Sequence, residues 1–308
     1  MGQLKGEIMK YTEIGKNIVL TEYDSFSVSQ TLECGQCFRF EKLGNDDYAV
    51  IARNRLLHIY KTDEGIVFEN TSKEDFENIW FDYFDFKRDY LSIKDMLSKT
   101  DDTLKASIEY ADGIRILNQD FFECLISFII SQNNRIPMIK KVVSNISKKY
   151  GSLLGSIGGE EYYSFPDKEA LSKATEAELM ECKTGFRAKY IIDAVDKLIN
   201  GSINPNEFEN MPTEDVRKIL MEIKGVGPKV ADCVMLFSLG RSDAFPTDVW
   251  VKRVMSYFYF NGEDTPIKEI HKLAYDKFGS YAGFAQQYLF NYAREFKIGA
   301  NDKKEKVK

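Results

Sequence analysis

Thr213-Glu214-Asp215-Val216-Arg217-Lys218-Ile219-Leu220-Met221-Glu222-Ile223-Lys224-Gly225-Val226-Gly227-Pro228-Lys229-Val230-Ala231-Asp232-Cys233 reads as two helices joined by a tight turn. Thr213 is expected to cap the first helix, and Glu214 and Asp215 place carboxylates at the positive end of its dipole. Ile219, Leu220 and Ile223 supply an apolar stripe. Gly225 and Gly227 flank a single apolar residue, which permits a sharp turn and close backbone approach. Pro228 suits the first position of a second helix, where its missing N–H would be unpaired anyway. That helix is expected to run on to Leu239. Exposed N–H groups at a helix start beside such a turn suit an anion, such as a DNA phosphate. A plain helical hairpin would share the periodicity; the glycine spacing followed by Pro-Lys favours the phosphate reading.

Lys229 opens the second helix, where the positive end of the macrodipole disfavours an ammonium and so favours an amine nucleophile. Cys233 is one turn on and shares its face. Asp248 follows in Pro246-Thr247-Asp248. A carboxylate there would stabilise an oxocarbenium-like sugar during bond cleavage. Singly, a surface lysine and an N-cap aspartate are the simpler readings; the combination points to chemistry.

Outward from the hairpin, the period is helical from about Ser72 onward. Phe122, Leu125, Ile126, Ile129 and Ile130 predict a buried helix, Val142, Val143 and Ile146 the next, and Leu171, Leu179, Ile191, Val195 and Leu198 continue the pattern. Gly151–Gly159 and Pro205–Pro212 read as loops. Before Ser72, Phe38–Phe40, Tyr48–Ala52 and Leu56–Tyr60 predict short antiparallel strands within Ile18–Phe68, punctuated by Gly44-Asn45-Asp46-Asp47 and Asp63-Glu64-Gly65. The expected class is α+β: an N-terminal antiparallel sheet domain with connecting helices over 1–104, then a helical body over 105–308 with the helix–hairpin–helix at 213–239.

The 308 residues carry a formal net charge of −6, which argues against a protein that coats nucleic acid nonspecifically but allows a local basic patch. Ser131–Tyr150 is one candidate, with Arg135, Lys140, Lys141, Lys148 and Lys149 and no carboxylate; a solvated helix face is the simpler reading. Five cysteines make no disulfide framework, and the lone Cys34-x-x-Cys37 with two histidines in the chain falls short of a zinc site. No stretch is long and apolar enough to span a bilayer, and the first residues lack a signal-peptide core. Residence inside the cell follows as the default, in cytoplasm or nucleoid if the source is prokaryotic.

Gly225-Val226-Gly227-Pro228-Lys229-Val230-Ala231-Asp232-Cys233 with Pro246-Thr247-Asp248-Val249 resembles the helix–hairpin–helix DNA glycosylases with the Gly/Pro-Asp signature. A hairpin lysine implies a lyase-competent member. Gly35-Gln36-Cys37-Phe38-Arg39, Ser127-Phe128-Ile129-Ile130-Ser131-Gln132-Asn133-Asn134, Gly185-Phe186-Arg187-Ala188-Lys189-Tyr190 and Tyr281-Ala282-Gly283-Phe284-Ala285-Gln286 resemble the 8-oxoguanine DNA glycosylase branch across most of the chain. The resemblance implies base flipping from double-stranded DNA containing 8-oxoguanine. Asn133 would fill the gap, Phe186 would wedge between bases, and Arg187 would contact the orphaned base. Gly225, Gly227, Val230 and Arg253 would hold the backbone. It assigns the carbonyl that reads the N7–H of 8-oxoguanine to Gly35, the Watson–Crick edge to Gln286, and stacking to Phe290 and Cys233. Lys229 would attack C1′ and form a Schiff base, with Asp248 assisting. Met138 stands where eukaryotic members carry an arginine reading the opposite cytosine; relaxed opposite-base preference is expected. Trp250 stands where many relatives have a histidine. The four-cysteine run that binds an iron–sulfur cluster in endonuclease III is absent, so no cluster, cofactor or metal is expected, and a monomer is. Two alternatives stay open on the residues: a noncatalytic helix–hairpin–helix DNA-binding protein, and a monofunctional glycosylase using an Asp-activated water.

Overall fold

The computed structural model describes residues 9–298; the first residues and the Lys-rich tail after Ala300 lie outside them. Strands β1 (Met9–Ile14), β2 (Asn17–Tyr23), β3 (Phe40–Gly44), β4 (Asp47–Ala52), β5 (Arg55–Thr62) and β6 (Gly65–Glu69) form one antiparallel sheet in the order β1-β2-β6-β5-β4-β3. A helical body follows, so the class is α+β as expected. β1 precedes the span read as sheet. It is an edge strand that buries only Met9, which leaves it little apolar signal. Helix α1 (Val28–Glu33) interrupts the sheet; the Ser27 hydroxyl caps it by accepting from Gln30 N at 3.3 Å. The third strand begins at Phe40 rather than Phe38, because Phe38 turns into the helical core.

Tyr48–Ala52 reads as an unbroken apolar run because both faces of β4 are covered. Tyr48, Val50 and Ala52 pack onto Phe76, Trp80 and Phe84, while Ala49 and Ile51 meet Tyr162. Tyr162 belongs to a second, two-stranded sheet, β7 (Leu153–Ile157) with β8 (Glu160–Tyr163). The expected loop over Gly151–Gly159 is therefore mostly hairpin. Gly158 and Gly159, both at positive φ, form its turn, and their composition masks a strand pair whose stability comes from lying on the sheet.

Among the longer helices of the body are α2 (Tyr90–Ser98), α3 (Asp102–Tyr110), α4 (Phe121–Ser131), α5 (Ile136–Tyr150), α6 (Ala188–Ile199), α7 (Thr213–Leu220), α8 (Pro228–Ser238), α9 (Val249–Tyr259), α10 (Ile267–Phe278) and α11 (Ala282–Glu295). α4 is buried on every side from Cys124 to Ile130, which explains its uniformly apolar sequence. It packs against α5, α6 and α8. The cap of α7 departs from expectation: Pro212 holds the cap position and no side chain caps, while Thr213 is the first helical residue. The basic run on α5 is partly spent on packing. Lys140 Nζ sits over the Phe40 ring and donates to Phe40 O at 3.0 Å, and Lys149 pairs with Glu181 at 2.7 Å.

The segment between α1 and β3 joins the two cores. Cys34 and Phe38 lie in the helical core, Cys37 in the sheet core. Gln36, fully buried between them, donates through Nε2 to Thr31 O at 2.8 Å and Arg115 O at 2.7 Å, and accepts from Leu117 N at 2.8 Å. A buried amide so fully paired fixes the backbone on either side of it. No helix of the described residues is long and apolar enough to cross a membrane.

Candidate active site

The turn after α7 depends on Gly225. Its φ is +79°, and a Cβ there would stand 2.3–2.6 Å from atoms of the Tyr190 ring. Gly227 differs: its backbone is extended, and a Cβ would meet nothing within 4 Å. The first glycine makes the turn, and the second leaves open space in front of the N–H groups of α8. Tyr190 in turn packs edge-on against Phe186, with centroids 5.9 Å apart. Gly225→Ala is expected to destabilise the fold by about 3 kcal/mol, through left-handed strain and the clash. A lowered urea midpoint measures this, and an unchanged midpoint would show that the turn does not need glycine.

The two hairpin helices are locked by Arg217 and Asp232, both buried. Arg217 Nε donates to Asp232 Oδ1 at 2.7 Å, its Nη1 pairs with Glu214, and Nη2 donates to Tyr275 OH at 3.1 Å. The pair orients α8 so that Lys229 and Cys233 face inward. Lys229 is half-buried; its Nζ lies 5.0 Å from the Phe128 ring centroid and forms no ion pair among the described residues. Burial pushes the Cys233 thiol up to about 11, against the pull of Lys229 and with the push of Asp232 and Asp248. The thiol therefore stays neutral, within electrostatic reach of both the amine and the Asp248 carboxylate.

Asp248 is the N-cap of α9: Oδ1 accepts from Val251 N at 2.8 Å, and its other oxygen accepts nothing among the described residues. The cap reading and the chemical reading hold together, because capping fixes the carboxylate's direction. Thr247 braces the same loop, donating to Phe245 O at 3.1 Å. With that proton committed, His271 Nε2 is the donor in its 2.9 Å contact with Thr247 Oγ1. Burial, and then the Arg217 charge, hold His271 below its ordinary 6.5, with Glu214 opposing. A lowered folded value makes the neutral imidazole part of the native state. Its contribution is complete above 6.5 and is lost as pH falls through the lowered value. His271→Gln, which keeps a donor but does not titrate, should show a flatter decline in denaturation midpoint between about pH 7 and pH 5. Parallel profiles would remove His271 from the loop's stability.

Opposite α8 lies a second group. Gly35, at φ +91°, has Phe290 Cε1 and Arg294 Nη1 each 3.6 Å from where its Cβ would stand. Phe290 is half-buried on α11; Gln286, one turn earlier, is 4% exposed and accepts from Gln287 Nε2 at 3.0 Å. α11 comes close to α8 because Gly283 has no side chain: a Cβ there would stand 2.4 Å from Leu236 Cδ1. Phe38 closes the other side, edge-on to Phe128 at 5.5 Å, and Phe128 carries Lys229. The structure thus brings Gly35 and Phe290 together, with Gln286 one turn earlier on the same helix, and α11 approaches α8 at Gly283. Among the described residues no cluster of His, Cys, Asp or Glu could hold a metal ion.

On the outer face, Asn133 is exposed at φ +48° just beyond α4, and Phe186 is 54% exposed beside it. Arg187, expected to contact the orphaned base, is held by backbone. It is 8% exposed and donates to the carbonyls of Gln132, Asn133 and Thr184. Carbonyls at the negative end of α4 attract a guanidinium strongly, so it braces the Asn133 turn from within. Met138 is exposed near the start of α5. On α9, Arg253 lies 5.0 Å from the Trp250 ring, and Val230 is buried behind the hairpin turn.

A family model for the 8-oxoguanine DNA glycosylase N-terminal domain matches residues 18–125, and one for the HhH-GPD superfamily base excision DNA repair proteins matches 126–277. The Arabidopsis thaliana N-glycosylase/DNA lyase OGG1 is 31% identical over 277 residues, covering 84% of this chain and 75% of the relative. The Saccharomyces cerevisiae N-glycosylase/DNA lyase is 39% identical, over 58% of this chain and 56% of its own length. The Clostridium acetobutylicum 8-oxoguanine glycosylase/lyase, solved with dsDNA containing cytosine opposite 8-oxoG, superposes with a TM-score of 0.89 at 44% identity, covering 94% of this chain and 99% of that one. The chain belongs to the 8-oxoguanine DNA glycosylase family.

For a member of this family, the structure adds residues that the sequence reading passed over. Gln36 follows Gly35 directly in sequence, yet its role as the buried clamp of Gly35 needs Arg115 and Leu117, some eighty positions away. Tyr190 lies thirty-five positions before Gly225, and only the fold puts it under that glycine. The Arg217–Asp232 pair had a legible trace, since an aspartate inside an apolar helix calls for a partner. Arg294 had none.

Proposed function

We propose that this protein excises 8-oxoguanine from double-stranded DNA and nicks the strand. The observation that carries the reading is a half-buried Lys229 amine, without an ion pair among the described residues, beside a Cys233 that also feels Asp248, on a helix approached at Gly283 by the α11 that sets Phe290 against Gly35.

The duplex docks its backbone on the α8 N-terminus at Gly225, Gly227 and Val230, and on Arg253. Asn133 and Phe186 occupy the gap left by the flipped nucleotide, while Arg187 holds Asn133 in place. The Gly35 carbonyl accepts the N7–H that distinguishes 8-oxoguanine from guanine; the same carbonyl facing guanine's N7 acceptor is disfavoured by roughly 1–3 kcal/mol. Gln286 pairs with the Watson–Crick edge, and Phe290 and Cys233 stack on the base. Lys229 Nζ bonds to C1′ as the base leaves, and Asp248 stabilises the positive charge on the sugar. The Schiff base then allows β-elimination of the 3′ phosphate. Met138, a thioether that cannot donate, gives a tolerant opposite-base preference. The protein acts as a monomer inside the cell, where its DNA substrate is, in cytoplasm or nucleoid if the source is prokaryotic.

Borohydride reduction during incubation with an 8-oxoguanine duplex tests this. A lysine lyase leaves a covalent protein–DNA adduct. Neither a noncatalytic hairpin protein nor a water-using glycosylase does, so damaged duplex recovered with its base attached and no adduct would refute the reading.

A further inference from the structure

Arg294 sits one turn beyond Phe290 on α11, beside Gly35. Its guanidinium lies 5.6 Å from the Phe290 ring centroid, and Nη1 approaches within 3.6 Å of where a Gly35 Cβ would stand. Nη2 donates to Glu33 O at 2.8 Å and to Asn291 Oδ1 at 3.2 Å. Both acceptors are neutral, and Arg294 forms no ion pair with a described carboxylate. The result is a half-buried cation, stacked on Phe290, tied to the carbonyl at the end of α1, and uncompensated. Arg217 and Arg88, by contrast, are neutralised by Asp232 and Asp85, while Arg187, like Arg294, donates to neutral acceptors and stacks on a ring, but on the outer face beside Asn133.

We propose that Arg294 stabilises the negative charge that develops on the departing base, an inference that rests on reading Gly35 and Phe290 as the base site. As the Lys229 lone pair bonds to C1′, the C1′–N9 bond breaks and its electron pair leaves with the purine. The proton shed by the new secondary ammonium at Lys229 ends on the base, so the product is neutral. Between these events the purine is an anion, its charge spread over the ring nitrogens and exocyclic oxygens. Arg294 attracts that anion more strongly than the neutral base, which is the condition for accelerating the step rather than merely binding. Neither other charged group can serve. Lys229 is consumed in the new bond, and Asp248, which favours the sugar cation, repels an anion. A separate, half-buried cation on the Gly35 side stabilises the second half of the separating charge.

The test compares two reactions of the full chain under single turnover: base release from an 8-oxoguanine duplex, and strand cleavage at a preformed abasic site, which has no base to expel. Arg294→Leu is expected to slow base release about 10- to 100-fold and to leave abasic cleavage within about twofold. Arg294→Lys should restore most of the rate, and Arg294→Gln, polar but neutral, should not. Across 8-substituted purines, the Leu variant's rate should also depend more steeply on the acidity of the leaving base. Equal losses in both reactions, or rescue by Gln as complete as by Lys, would overturn the proposal and leave Arg294 as a brace for the Gly35 loop. Unchanged base release by the Leu variant, with an active wild type, would overturn it alone. A wild type that cleaves abasic sites but releases no 8-oxoguanine would overturn the base-site reading beneath it.

Discussion

Lys229→Gln is expected to abolish the borohydride-trapped adduct and to lower base release by at least about a thousandfold, because the amide has no lone pair basic enough to bond C1′. The effect is expected to be chemical rather than structural. Lys229 makes no ion pair among the described residues and is only half-buried, so unfolding stability should change by no more than about 0.5 kcal/mol. Binding of the damaged duplex is expected to persist, since the substitution leaves the hairpin N–H groups intact. A trapped adduct in the Gln variant would mean that another amine is the nucleophile. Of the described lysines, Lys229 is the one placed over Phe128 and beside Cys233, so such a result would dismantle the site rather than relocate it.

Asp248→Asn is the second large effect, and its design separates two functions of one side chain. Asparagine caps a helix as well as aspartate does, so the bond to Val251 N at 2.8 Å survives and the fold with it. What disappears is the negative charge proposed to stabilise the sugar cation. Base release should fall about 10²- to 10³-fold, the scale of losing one preorganised charge interaction in a sheltered site. Asp248→Ala should lose the same chemistry and, in addition, about 1 kcal/mol of stability from the missing cap. Single-turnover rates and denaturation midpoints on the two variants resolve both contributions. If the Asn variant matched wild type while the Ala variant failed, Asp248 would be a cap and nothing more.

The two substitutions also bear on Arg294. On the proposed mechanism, the chemistry creates a cation at the sugar and an anion at the base. Asp248 on α9 and Arg294 on α11 stand with opposite signs, the one in electrostatic reach of Cys233 and the other beside Gly35. Separating charge between fixed groups of opposite sign needs no reorganisation of solvent, which water would require.

Local rules were enough for the hairpin. Gly225, Pro228 and the apolar spacing of Ile219, Leu220 and Ile223 act within a few residues, so turn, helix start and the placing of Lys229 beside Cys233 could be read from the chain, as could Asp248 at the head of the next helix. The sheet was legible where turn residues punctuate it and obscure where tertiary cover decides: β1 has little apolar pattern, and the β7–β8 hairpin is hidden by its glycines because its stability lies in packing on β4. The surroundings of Gly35 were beyond local reasoning for a different cause. Gly35 is held by Gln36 through Arg115 and Leu117, faced by Phe290 and Arg294, and brought near α8 by the missing side chain of Gly283. Arg187, a solvent cation by composition, is buried because the carbonyls after α4 happen to meet it. Helix periods and turn chemistry depend on neighbours in sequence, whereas charge compensation and burial depend on neighbours in space, which only the folded chain supplies.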